Sequence, residues 1–420
     1  MAESSPTLSV PPTQPTTRMP RAFAAMRHRN FQLYFIGQLI SNAGTWMQII
    51  AQGWLVYQIT HSEFALGVVS FASAIPVLLI TPFGGVVVDR VPKRALLVIT
   101  QSAAMLLALA LAVLAFTNVI REWHIYVLAA LIGIVNAFDA PARQAFVVEM
   151  VGKEDMPNAI ALNSMMFNSA RVIGPGLGGL LLAAFGPAWC FTINGLSYLA
   201  VIAGLLLMTI PPRPPAPARQ APLRQLSEGL RYVTRRADMW GLLVLAIIFS
   251  MFGLSYSTLL PAFADTVLHG GPEAYGWLNA ATGVGAVISA LLVAQFGDRG
   301  KRGVWLLAAN FIFPIILALF AITSVLPVSL LLACMLGMGF MTHMTMSNTL
   351  LQTRVEDEFR GRVMSLFTLT FFGLSPFGNL LIGALGQHFG LVPAMVFSAA
   401  VTWLLSRVIF RVAGNIRSLP

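Results

Sequence analysis

Three titratable side chains lie deep inside long apolar runs of this 420-residue chain: Asp139, Arg171 and His343. On insertion scales an Asp or Arg at the centre of a membrane helix costs about 2.5–3.5 kcal/mol, so such groups come with partners or purposes. Asp139 and Arg143 are one helical turn apart and can pair along their own helix. Arg171, from the following run, is long enough to approach the same carboxylate. Two chemistries fit: a structural ion pair, or a protonatable Asp139 whose charge Arg171 controls. His343, with Ser347 one turn away, suits a proton site or substrate contact, because imidazole titrates near neutral pH; a satisfied polar core residue fits equally. Gln38, Ser41, Thr45, Gln48 and Gln52 recur at three- and four-residue steps, with Asn42 beside them. A polar stripe facing lipid is costly, so this one faces a cavity or a neighbouring helix.

The elements that must position these groups are membrane helices. The chain is 57% hydrophobic and only 10% charged, with a mean hydropathy of +0.77; soluble domains carry about 25% charged residues. Apolar runs between charges, Gly and Pro predict spans at 31–59, 64–88, 95–117, 123–147, 158–185 and 188–210, then at 239–262, 275–296, 304–323, 327–350, 363–386 and 391–412. The net charge of +10 does not point to nucleic acid, because the basic residues sit in the loops between these runs. Cys190 and Cys334 fall inside apolar segments with no metal or disulfide spacing. No cofactor or metal is expected. The run from Phe31 is too long for a signal h-region.

This predicts a tail over 1–26, too rich in Ser, Thr and Pro to fold, a six-helix bundle over 27–210, a linker over 211–238, a second bundle over 239–412 and a tail over 413–420. Within the linker, Leu223, Leu226, Leu230 and Val233 fall at helical spacing, which suggests an amphipathic helix at the membrane surface. With both termini cytoplasmic, nearly all Lys and Arg fall on the cytoplasmic side, Arg121 and Arg171 being the exceptions. The halves echo each other: 179–186 (GLLLAAFG) with 379–386 (NLLIGALG), 89–94 (DRVPKR) with 297–302 (GDRGKR), and 151–155 with 355–358. Parallel halves of this kind form transporters that bind substrate at the interface between them.

The segment Gly85-Val-Val-Val-Asp89-Arg90-Val-Pro-Lys93-Arg94 resembles the G-x-x-x-D-R-x-x-[RK]-[RK] loop of the major facilitator superfamily, at the place where that family keeps it. Gly174-Pro175-Gly176-Leu177-Gly178-Gly179 is similar to the G-P-x-x-G-G element of the superfamily's exporters. Ala170, Gly174 and Gly178 form a small-residue face, and Ala281, Gly285 and Ser289 offer a match in span eight. Residues 31–46 and 54–60, the segment Val355–Val363 and the loop 151–158 resemble the enterobactin-exporter and macrolide-efflux branch, over roughly residues 27 to 412. The resemblance implies an all-α integral membrane protein of the major facilitator fold, with twelve helices in two pseudo-symmetric bundles. It also implies that Asp89 helps latch the halves at the cytoplasmic face, and that the stripe of span one borders a central cavity.

The expected function is therefore secondary transport by alternating access in a bacterial inner membrane, as a monomer. Export of a small amphiphilic molecule, such as a siderophore or drug, with protons as the coupling ion, is the favoured form. No P-loop is present to couple ATP hydrolysis. An uptake permease or a lipid flippase of the same fold is the rival. An integral-membrane enzyme fits poorly: there is no HExxH, no aspartate cluster and no Cys/His metal set.

Overall fold

The computed structural model describes residues 21–152, 154–209, 222–297, 301–413 and 416–419. Its long helices are α1 (Arg29–Thr60), α2 (Glu63–Arg90), α3 (Lys93–Phe116), α4 (Glu122–Val151), α5 (Met156–Phe185) and α6 (Pro187–Leu207) in the first half. The linker contributes α7 (Pro222–Thr234). The second half holds α8 (Ala237–Ile248) and α9 (Tyr256–Thr266), then α10 (Gly271–Phe296), α11 (Arg302–Ile322), α12 (Leu326–Arg354), α13 (Asp357–Phe389) and α14 (Leu391–Val412). With α8 and α9 counted as one span, twelve long segments stand where the apolar runs place them. Ten of them are long and apolar enough to cross a membrane; α1, with its polar stripe, and α5, with the Gly-Pro element, fall outside that set.

Span seven is the one interrupted segment of the expected twelve. A π turn over Phe249–Gly253 separates α8 from α9. Such a turn widens the ladder and loosens backbone carbonyls, which hydroxyls can then satisfy. Ser255 Oγ donates to the Met251 carbonyl at 2.5 Å, and Ser398 Oγ donates to the Phe252 carbonyl.

The described segments near each end of the chain, Arg21–Arg27 and 416–419, pack at the face that also carries the linker, called here the linker face. Part of the expected 1–26 tail is helical and packed. Arg21–Arg27 forms a 3-10 turn whose Ala25 N–H donates to Asn158 Oδ1 at 2.9 Å, while His28 Nε2 lies 2.8 Å from Asp155 Oδ2. Residues 1–20 lie outside the described residues. The C-terminal segment is likewise engaged: Ile416 is fully buried, and Gly303 N–H donates to the Leu419 carbonyl at 3.2 Å. Helix α7 docks on the start of α13, through Glu228–Arg362 at 3.2 Å and a Tyr232–Phe359 ring stack at 4.4 Å. Of its expected apolar face, Val233 is buried and Leu230 is exposed; the side chain of Leu223 lies outside the described residues.

The two bundles repeat the same close approaches. Gly133 of α4 meets the Ser73 carbonyl of α2, and Gly337 of α12 meets the Thr282 carbonyl of α10. In each case the missing side chain lets two backbones touch, which is how membrane helices pack without a hydrophobic drive between them. The seam between bundles has the same symmetry: Gly67 of α2 faces Asn379 and Leu380 of α13, and Gly179 of α5 faces Gly276 of α10. Phe71 meets Phe377 edge-on at 5.2 Å, and Trp54 stacks on Tyr275 at 6.3 Å. At mid-span, Leu78 faces Gly373. Every one of these cross-bundle approaches lies between mid-span and the face away from the linker, the far face.

Candidate functional site

Asp139 is 1% exposed in α4 and accepts two hydrogen bonds from α3, from Thr100 Oγ1 at 2.7 Å and Gln101 Nε2 at 2.8 Å. Its other oxygen is ion-paired with Arg143 one turn along the helix. Arg143 in turn donates from Nη1 to Gln38 Oε1 of α1 at 2.9 Å. One carboxylate thus ties α1, α3 and α4 together. The charge is neutralised by its own helical neighbour at Oδ2, and Oδ1 accepts both hydrogen bonds from α3. A buried pair is tolerable under those conditions.

Arg171 is not part of this network. Its guanidinium lies 4.4 Å from the ring centroid of Phe340, in α12 of the other bundle, and 5.6 Å from the Trp46 ring of α1. It stands fifteen residues in from Met156, about 22 Å along the helix at 1.5 Å per residue. Gly174 makes room for this arrangement, since a Cβ there would come within 2.6 Å of the Trp46 Cβ. Gly178 similarly rests on Met47 of α1. Gly174 and Gly178 therefore join α5 to α1 within one bundle, and Gly179 meets α10 across the seam. Pro175 sits inside α5 as Pro376 sits inside α13. The expected match in span eight faces its own bundle: Gly285 packs on the Cys334 backbone and Ser289 Oγ lies 2.7 Å from Thr342 Oγ1, both in α12.

The stripe of α1 is turned inward against helices. Gln48 Oε1 accepts from Asn194 Nδ2 of α6 at 2.6 Å, and Gly44 packs on Asn194 and Ser197. Gln38, Asn42 and Gln48 are all buried, and Thr45 Oγ1 donates to its own helix at the Ser41 carbonyl. The Gln48–Asn194 and Gln38–Arg143 bonds join helices within the bundle, each contributing about 0.6 kcal/mol and up to about 1–2 kcal/mol in membranes.

His343 is fully buried in the second bundle. Asn310 Nδ2 of α11 lies 3.0 Å from its Nδ1, and the imidazole stacks face to face on Phe249 at 4.0 Å. Ser406 Oγ of α14 donates to Asn310 Oδ1 at 3.3 Å. The wide turn in span seven carries the Phe249 ring that covers the imidazole.

In the 85–94 motif, the side chains of Gly85 and Asp89 lie outside the described residues, as do residues 298–300 of its counterpart. Lys93 Nζ pairs with Glu149 Oε1 of α4 at 2.9 Å, and Arg94 Nη2 donates to the Leu206 carbonyl of α6 at 2.7 Å. Arg90 is exposed. Lys93 and Arg94 thus hold α3 to α4 and α6 of their own bundle. Sequence reasoning missed Thr100, Gln101, Trp46 and Phe340. The adjacent Thr-Gln pair in an otherwise apolar run was the available signal for the first two.

Two parallel bundles with buried polar centres, meeting along a glycine-lined seam, define a secondary transporter of the major facilitator fold. Residues 20–417 match the family described as transmembrane secretion effector, and the chain belongs to that family. It is 27% identical over 383 residues to a staphyloferrin A transporter of Staphylococcus aureus, covering 90% of this chain and 94% of that one. It is 25% identical over 359 residues to an enterobactin exporter of Shigella boydii, covering 86% of each. Among solved structures it is similar to a bacterial homolog of the human lysosomal transporter Spinster. That match has a TM-score of 0.67 at 16% identity and covers 94% of this chain and 96% of the other. The protein is a multi-pass membrane transporter of the siderophore and drug exporter branch.

Proposed function

We propose that this protein exports a small amphiphilic molecule across the bacterial inner membrane by alternating access, driven by proton antiport. The linker face is cytoplasmic in this reading, as the distribution of Lys and Arg favours. The arrangement described above is then the inward-facing state, with the seam packed from mid-span to the far face. Asp139 is the proton-carrying group. The observation that carries this reading is its burial with Arg143, Thr100 and Gln101 in a bundle that must move as a unit against its partner. Protonation would free Arg143, weaken the tie from α4 to α1 through Gln38, and so bias one packing of the bundles over the other. His343 holds α11 and α12 together. Asp89 with Gly85 and Arg90 forms the cytoplasmic latch, while Lys93 and Arg94 brace α3. The names of the relatives, a staphyloferrin A transporter and an enterobactin exporter, support export of a small metabolite.

Inside-out vesicles test the reading. An acidic interior should drive uptake of substrate, and dissipating the pH gradient should stop it. Uptake that ignores the gradient, or runs only in right-side-out vesicles, would refute proton-driven export.

A further inference from the structure

We propose that Arg171 is the recognition point for an anion, so that the transported molecule carries a carboxylate or similar planar oxyanion beside an aromatic or apolar body. The proposal rests on the transport reading above and names the substrate class of that same seam.

The charge balance argues for it. Among the described residues, the acidic groups of the spans and loops sit at or near helix ends, Glu228 lies on the linker helix α7, and Asp139 alone is deep in a span, where it is committed to Arg143, Thr100 and Gln101. Arg171 has aromatic neighbours and, among the described residues, no ion pair or hydrogen-bond partner. The deep charges Asp139, Arg143 and Arg171 therefore leave one positive charge uncompensated, at mid-span where the two bundles meet. A guanidinium there is costly unless something offsets it. Stacking on rings offsets only part of the insertion cost.

The geometry argues for a planar anion. A ring stacked on a guanidinium takes its face and leaves the in-plane N–H fork free, and that fork matches the two oxygens of a carboxylate. Phe340 stands over Arg171 from the second bundle and Trp46 from the first, with Phe167, which is largely exposed, 6.1 Å from the Trp46 ring. An aromatic group attached to the anion would meet these rings. Because the rings come from both bundles, a ligand held here touches both parts that must move. A cationic amphiphile would meet repulsion at the same point.

The test uses full-length protein purified in dodecyl maltoside, with 2-naphthoate as probe and 2-naphthylmethylammonium as its cationic counterpart. Equilibrium dialysis should show saturable binding of 2-naphthoate and none of the ammonium probe. Arg171→Gln should weaken 2-naphthoate at least tenfold, and Arg171→Lys should retain part of the affinity. Phe340→Leu keeps the charge and removes one wall. It should weaken 2-naphthoate while leaving decanoate unchanged, and it serves if Arg171→Gln does not fold. No binding of 2-naphthoate up to millimolar concentration, equal binding of the ammonium probe, or unchanged affinity in folded Arg171→Gln would each overturn the anion site. The transport reading fails separately. If 2-naphthoate binds in an Arg171-dependent way but an acidic vesicle interior drives no uptake of it, the anion site stands and proton-driven export falls.

Discussion

Asp139 of α4 and His343 of α12 occupy equivalent positions in the two bundles, each seventeen residues past the first residue of its helix, Glu122 and Leu326. Their partners are equivalent too: Gln101 and Asn310 each lie eight residues past the start of α3 and α11, at Lys93 and Arg302. The same node, a buried polar group on the fourth helix of a bundle tied to an amide on the third, has thus been kept in both halves and given different chemistry. In the first half it is an ion pair whose members lie two residues to either side of Pro141. In the second it is an imidazole between an amide and Phe249. A transporter that needs one titrating group per cycle can place it in one bundle and leave the other rigid.

Asp139→Asn should abolish pH-gradient-driven export while substrate binding survives. The amide preserves shape but removes the charge that Arg143 answers. Breaking a buried pair from one side costs about 3–5 kcal/mol, so the melting temperature should fall as well. Adding Arg143→Gln to Asp139→Asn should recover part of that stability without recovering coupling. Export by Asp139→Asn with wild-type dependence on the gradient would remove this carboxylate from the mechanism.

His343→Gln should keep pH-gradient-driven export, because the expected role of the imidazole is to hold Asn310. His343→Leu should be destabilised by about 1–3 kcal/mol, the cost of leaving a buried amide short of a partner. Thermal unfolding in detergent would read the difference between the two variants. Loss of coupling in folded His343→Gln would move the proton site to the second bundle.

The helix count was legible because apolar runs end at charges, Gly and Pro. Span three, expected at 95–117, is Lys93–Phe116. Span eleven begins six residues earlier than expected, at Asp357, because Asp357 and Glu358 form a polar first turn that complements the helix dipole and that apolarity does not register. The π turn in span seven left no mark of its own, since no proline or charge interrupts Phe249–Gly253. The candidate site was legible as a set of unusual residue types and not as contacts. Pairing of Asp139 with Arg143 follows from helical spacing alone. The partners from α3 and α1 depend on how helices rotate against each other, which a single polar residue in a run does not fix. Trp46 and Phe340 were invisible for a different reason: in a membrane helix, an aromatic ring beside a guanidinium and one facing lipid look alike in sequence.

Neutralising the bracing pair should matter far less than neutralising the latch. Lys93 and Glu149 are 17% and 19% exposed at the linker face, and ion pairs that keep this contact with water contribute little more than fully exposed ones, about 0–1 kcal/mol. Glu149→Gln should therefore change melting by no more than a few degrees. Asp89→Asn should slow turnover by shifting the balance between the two packings of the bundles. Vesicle export rates compared with melting temperatures would separate the two effects, and unchanged turnover in Asp89→Asn would refute the latch.

Gly179→Val should drive the far-face seam open. A Cβ on Gly179 would collide with the Gly276 backbone, and nothing flexible stands there to move aside. The bundles must then separate, at a cost of about 1–3 kcal/mol for overpacking in the closed arrangement. The other packing, in which the seam is already apart, is spared that cost, so the population should shift by about five- to 150-fold toward it. A single cysteine at Ala280, beside Gly176 on the same seam, reports the shift once Cys190 and Cys334 are replaced by Ser. Its labelling by an impermeant maleimide from the far face should be slow in an otherwise unaltered chain and fast with Gly179→Val. Export should fall at the same time, because a seam that cannot close traps the cycle in one half. Slow labelling in a folded Gly179→Val variant would mean that the seam yields by side-chain shifts alone, and that the glycine contact does not set the balance between states.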